Sequence, residues 1–218
     1  MAQVAPRRLP IGVLITGQGT NLNAILSRCE DGTLHAEVRA VISNRADATG
    51  LVYGRQRGIP TFVHARSDYA SRDAQQRAIT DDLLACGVEL VVLAGYDQIL
   101  GSSFLGAFDG RIVNLHPSLL PAFRGGMHAV REALEYGAKV TGCTVHFVST
   151  DPSAVDGGPV ILQEPVRVLE DDTEETLLSR IHAAEHELLT EAIQLLAEDR
   201  VRVEGRRVRI LPPKNRGD

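Results

Sequence analysis

The run Ile11-Gly12-Val13-Leu14-Ile15-Thr16-Gly17-Gln18-Gly19-Thr20-Asn21 decides the fold: an apolar stretch of strand length breaks at two glycines and passes directly into a helix-period segment, Asn21-Cys29. Strand, glycine turn and helix in that order open a parallel sheet wound with helices. The alternation continues along the first half. Strands are predicted at Ile11-Thr16, Val38-Ser43, Pro60-Val63, Leu90-Ala94 and Arg111-Leu115, and helices at Asn21-Cys29, Ala46-Arg57 and Ser71-Cys86, the last capped by Ser71. After Gly126 the pattern changes: a helix through Leu134 leads to strands at Thr141-Val148, Val160-Leu162 and Val166-Leu169, which read as antiparallel additions. A long helix from about Thr173 to Glu198 carries Leu177, Ile181, Ala184, Leu188, Ala192 and Leu195 at spacings of three and four, and a polar hairpin spans Val201 to Leu211. The expected class is α/β, a Rossmann-like open twisted sheet, mostly parallel with antiparallel additions near the C-terminal half. There is no internal repeat, low-complexity tract or linker, so a single domain over residues 1–218 is expected, with flexible ends at about 1–9 and 212–218.

With 218 residues, 44% of them hydrophobic, the chain can bury one proper core. A net charge of -5 and a pI of about 5.8 leave no broad basic surface for a phosphate polymer, so nucleic acid is not an expected partner. The basic alternation from Arg202 to Arg209 reads as the solvent face of the hairpin. Cys29, Cys86 and Cys143 are odd in number and widely spaced, which disfavours both a disulfide framework and a zinc site. Arg7-Arg8 precede an apolar run too short for a signal peptide or a membrane span, so the expected compartment is the cytoplasm.

Three clusters carry chemistry. In Gly17-Gln18-Gly19-Thr20-Asn21, glycines admit a ligand to the backbone and a helix start offers free N–H groups to an anion. The loop lacks the third glycine of a dinucleotide fingerprint and the lysine of a P-loop, leaving a monophosphate site or a plain strand-to-helix turn. In Asn114-Leu115-His116-Pro117-Ser118-Leu119-Leu120-Pro121, at the carboxyl end of the last parallel strand, Asn114 and His116 share a strand face, and Pro117 keeps His116 extended. An amide donor beside an imidazolium suits a reaction that develops negative charge on oxygen; the alternative is a core histidine satisfied by a carbonyl. A carboxylate is needed to keep that ring charged, and Asp156, before Gly157-Gly158-Pro159, is the best candidate. His146 either touches the site or is structural. On the long helix, Glu185 falls inside the apolar stripe, where it needs a partner: a ligand, or a buried loop. His182, one turn earlier, is placed to reach a phosphate.

At these residues the chain resembles the phosphoribosylglycinamide formyltransferase family, the folate-dependent glycinamide ribonucleotide transformylases, from about Ile11 to Ala197. The resemblance rests on Gly17 to Leu22, Ser43 to Ala48, Leu93-Ala94-Gly95, Asn114 to Pro121, Thr141 to Val148, Asp156 to Ile161 and Glu185-His186. It implies the formyltransferase fold and transfer of a formyl group from 10-formyltetrahydrofolate, as co-substrate and without a metal, to the amine of phosphoribosylglycinamide in purine biosynthesis. It further implies Asn114, His116 and Asp156 as catalytic residues and Gly19, Thr20, Asn21, His182 and Glu185 as holding the ribonucleotide. The folate is expected against Arg72, Asp97, Gln98, Ile99, Leu100, Asn114, Val148, Ser149, Val155 and Asp156. Partners are expected to be small molecules, with no nucleic acid or membrane, and the chain a monomer or homodimer.

The chain departs from that family in three places. Asp97-Gln98 stands where relatives often read Met-Arg, the stretch Ser149 to Val155 is about three residues longer than usual, and Arg124-Gly125-Gly126 carries about one extra residue. The Arg-Gly pair resembles methionyl-tRNA formyltransferases, whose carboxyl-terminal domain is not expected here. Rival readings are a formyltetrahydrofolate hydrolase, which would use a similar Asn, His and Asp with water as acceptor, and a non-catalytic folate or nucleotide sensor.

Overall fold

The computed structural model describes residues 7–126, 128–151 and 153–213. In chain order the elements are β1 (Leu9–Ile15), α1 (Thr20–Glu30), β2 (Ala36–Ser43), α2 (Leu51–Gln56), β3 (Thr61–Val63), α3 (Arg72–Ala85), β4 (Leu90–Leu93), α4 (Ser102–Ala107) and β5 (Ile112–His116). They continue with α5 (Ala129–Tyr136), β6 (Val140–Phe147), β7 (Val160–Arg167), α6 (Glu174–Ala197), β8 (Val201–Glu204) and β9 (Arg207–Ile210). Seven strands form one sheet in the order β3-β2-β1-β4-β5-β6-β7. The first five are parallel, whereas β6 runs antiparallel to both β5 and β7. Strand order reverses between β1 and β4, and the crevice outside the carboxyl ends of the strands at such a reversal is where open α/β sheets take ligands.

Successive residues of β1 serve opposite faces: Val13 and Ile15 join a core with Leu22, Ile25, Leu51, Ile181 and Leu188, while Leu14 joins Ile79, Leu83, Phe104 and Phe108. The period of two along a strand makes both faces apolar, which is why the parallel strands read as unbroken hydrophobic runs. Ser71 caps α3 by accepting from the Ala74 N–H (3.0 Å), and Thr173 with Thr176 forms a capping box on α6.

Two expectations are corrected, one helix was not foreseen, and the ends lie partly outside the described residues. Val160-Leu162 and Val166-Leu169 are one strand, β7, that ends at Arg167; it pairs with β6 through Pro165 and lies at the sheet edge, where a residue without an N–H is tolerated. The helix expected from Ala46 starts at Leu51, because the Gly50 N–H is bound to the Gly17 carbonyl (3.0 Å) and holds residues 46–50 against the glycine loop. The sequence pattern missed α4, a six-residue helix too short to show a period. Of the ends expected to be flexible, residues 1–6 and 214–218 lie outside the described residues, and Leu9 already belongs to β1.

Candidate active site

β5 ends at His116, and Pro117 turns the chain into a loop held from above by one hydroxyl. Thr144 on β6 donates to the Ser118 carbonyl (2.7 Å) and accepts from the Leu120 N–H (3.1 Å). That loop returns two backbone groups to the strand end: the Phe123 carbonyl lies 3.0 Å from His116 Nε2, and the Gly125 N–H donates to Asp156 Oδ2 at 2.9 Å. The alternative of a histidine bound to a carbonyl is thus met at one nitrogen only. His116 Nδ1 lies 3.4 Å from Asp156 Oδ2, longer than an ordinary N–H···O bond. Both ring nitrogens thus face acceptors, Nε2 a backbone carbonyl and Nδ1 the carboxylate, and Nδ1 is the one not held at hydrogen-bonding distance.

Asp156 is the hub. It stands at φ 52, in the left-handed region, and the chain behind it is tightly docked: a Cβ on Gly158 would come 1.7 Å from the Phe147 carbonyl oxygen. Its Oδ1 accepts from Asn114 Nδ2 (3.3 Å), which also lies 3.2 Å from His146 Nε2, while His146 Nε2 stands 3.6 Å from the same oxygen. One carboxylate therefore sits between two imidazoles and an amide. Burial alone would push its pKa up, but the His146 ring, the His116 charge and the Gly125 N–H outweigh that and bring it down to about 2. An ionised acid at neutral pH is the result. His146, left open between two roles by its position, is 1% exposed and adjoins both Asn114 and Asp156; its register opposite Asn114 in the β5–β6 pair could not be read before the pairing was known.

These groups open onto a cavity of about 430 Å³, the size of small-molecule sites. Asp97, Gln98, Ile99, Leu100, Asn114, Val148, Ser149, Val155 and Asp156 all line it, with Ala154 of the longer 149–155 stretch and with Tyr96 and Leu105, which the sequence did not single out. Arg72 does not. It opens α3 on the exposed surface.

The Gly17–Asn21 loop and the α6 residues do not line that cavity, but they meet each other. Gly19 is left-handed at φ 69, and a Cβ there would stand 2.8 Å from the Gly50 Cα, so both positions demand glycine. Asn21 donates to Glu185 Oε2 (3.0 Å) across the α1–α6 contact, leaving Asn21 Oδ1 buried with no hydrogen-bond partner. Burial pushes the Glu185 carboxyl up to about 7, with the Asn21 amide opposing. His182 is lowered by burial and by the neighbouring His186. A raised acid stabilises the fold below its ordinary value of 4.5 and loses that contribution as pH climbs through about 7. Glu185→Gln, which keeps the acceptor and removes the charge, is therefore expected to match the native protein in thermal melts at pH 5 and to exceed it by about 2–4 °C at pH 8. Equal melting curves at pH 8 would count against this strain.

Among the described residues there is no cluster of three or more His, Cys, Asp or Glu able to hold a metal, and no helix long and apolar enough to cross a membrane.

A family model described as formyl transferase matches residues 9–193. The chain is similar to the phosphoribosylglycinamide formyltransferase of Escherichia coli (strain K12), with 41% identity over 193 residues, 88% of this chain and 89% of that one. It is 42% identical over 195 residues, 88% of its length, to the trifunctional purine biosynthetic protein adenosine-3 of Drosophila melanogaster, and spans 14% of that longer protein. The crystal structure of glycinamide ribonucleotide transformylase 1 from Symbiobacterium toebii superposes with a TM-score of 0.92 at 50% identity, covering 97% of this chain and 98% of that one.

Proposed function

The chain belongs to the formyl transferase family, and on that premise we propose that it transfers the formyl group of 10-formyltetrahydrofolate to the amine of phosphoribosylglycinamide. The observation that carries the reading is the convergence of Asn114, His116 and Asp156 on one mouth of the cavity. The co-substrate supplies an electrophilic formyl carbon. Leu100, Leu105 and Val148 offer an apolar slot for a flat ring, and a cavity of about 430 Å³ fits the heterocycle with its glutamate tail outside. A phosphorylated acceptor suits the helix start at Gly19, Thr20 and Asn21, with His182 and Glu185 on the facing helix.

The amine lone pair attacks the formyl carbon, forming a C–N bond and an alkoxide. Asn114 offers that oxygen an amide N–H now lent to Asp156 at 3.3 Å, and His116 Nδ1–H offers the second donor. Hydrogen bonds of this kind are long before substrate arrives and tighten as charge develops. Asp156 supplies the counter-charge to the ring and an acceptor for the proton that leaves the attacking amine; that proton passes to the departing folate nitrogen as its C–N bond breaks. No step calls for a metal.

Incubation of the purified protein with both substrates tests the proposal: one formylated acceptor should appear for each tetrahydrofolate released, and release should stop when phosphoribosylglycinamide is omitted. Release that continues without the acceptor would favour the hydrolase. Binding without turnover would leave a sensor.

A further inference from the structure

Asp97, lining the cavity, turns its carboxylate toward the residues that follow β1 and β2. Its Oδ1 accepts from the Asn44 amide (2.7 Å) and the Thr16 hydroxyl (3.0 Å), and its backbone N–H donates to that same hydroxyl at 3.0 Å. The Thr16 N–H in turn donates to the Gly95 carbonyl (3.0 Å), and Thr16 Oγ1 lies 2.8 Å from Asn44 Oδ1. Three segments are pinned at one point. Thr16 follows β1 and opens the Gly17–Asn21 loop, Asn44 follows β2, and residues 95–100 form one wall of the cavity. On the far side of the glycine loop, Gly50 closes the arrangement through its bond to the Gly17 carbonyl.

We infer that Asp97 is a positioning residue that couples the two ligand sites, so that filling the cavity tightens the Gly17–Asn21 loop for its own ligand, and the reverse. The inference rests on the functional reading above. A ligand lying against residues 97–100 orders that wall; through Oδ1 and the Thr16 hydroxyl the order reaches the strand end from which the glycine loop departs. The second ligand then meets a loop already held, and by linkage the effect is the same in both directions. The identity of the side chain matters through one oxygen. Asparagine keeps that acceptor, whereas alanine removes it.

Calorimetric titration of the intact protein with tetrahydrofolate, without and with saturating phosphoribosylglycinamide, reads the coupling as a ratio of Kd values. For the native protein we expect tightening of about 5- to 30-fold. Asp97→Ala should bring the ratio below twofold and raise KM for both substrates more than it lowers kcat; Asp97→Asn should hold the native ratio. If Asp97→Ala fails to fold, Asn44→Ala, which removes one of the two donors, should give an intermediate ratio. A native protein that binds both ligands without coupling, or an Asp97→Ala or Asn44→Ala protein with the native ratio, overturns the inference alone. A native protein that binds neither ligand sinks the functional reading and this inference with it.

Discussion

His116→Ala is expected to lower kcat by about 10²- to 10⁴-fold, with KM for the folate changed far less. The ring is 5% exposed, and Nε2 is bound to the Phe123 carbonyl, so Nδ1 is the only atom with which it can serve a reacting oxygen. Alanine removes that donor and leaves Asp156 facing an empty space, while the apolar slot proposed for the folate ring, built from other residues, stays in place. Steady-state kinetics with each substrate varied in turn would separate the two effects. Formyl transfer at the native rate would show that the second donor to the alkoxide lies elsewhere.

The second large effect is expected from Asp156→Asn, a change of charge with little change of shape. One amide oxygen can still accept from the Gly125 N–H, but the new NH2 group is then set against Asn114 Nδ2, donor against donor, and beside the His146 ring. Loss of both the counter-charge and this alignment should reduce kcat by about 10²- to 10³-fold. The substitution should also show in stability, with a definite sign. Because the native acid is held at about 2, below its ordinary 3.8, it contributes stability above pH 3.8 that is lost as pH falls toward 2. Chemical denaturation should therefore find the variant weaker at pH 7, by a margin that shrinks at pH 3. A deficit independent of pH would mean that the carboxylate matters for its packing alone.

Much of the architecture was legible because strand faces and helix stripes leave periodic marks. Val13, Leu14 and Ile15 had to serve two buried faces, and the Leu177 to Leu195 spacing had to be one helix face. What escaped was set by contacts distant in sequence. The start of α2 depends on a hydrogen bond from Gly50 to Gly17, and the continuity of β7 through Gln163-Glu164-Pro165 depends on its ladder with β6. Within the site, Asn114 and His116 could be paired from strand alternation, and Asp156 proposed from its glycine neighbours. The nearness of His146 came only with the antiparallel register that sets it opposite Asn114. Asp97 was expected as part of the folate wall; its link to Thr16 and Asn44 spans 81 and 53 residues and has no local signature.

The groups proposed to surround the reacting oxygen are delivered by β5, by β6 and by the loop that precedes β7, so they leave the ribosome separately. About forty residues lie between the imidazole and its acid, on the order of two to eight seconds of synthesis at ~5–20 residues per second. Until that loop and its antiparallel neighbours have emerged, a nascent or prematurely released chain has a histidine without its counter-ion and no closed pocket beside it. An unfinished copy thus lacks the assembled site, and on the proposed function only finished molecules would act on the formyl donor.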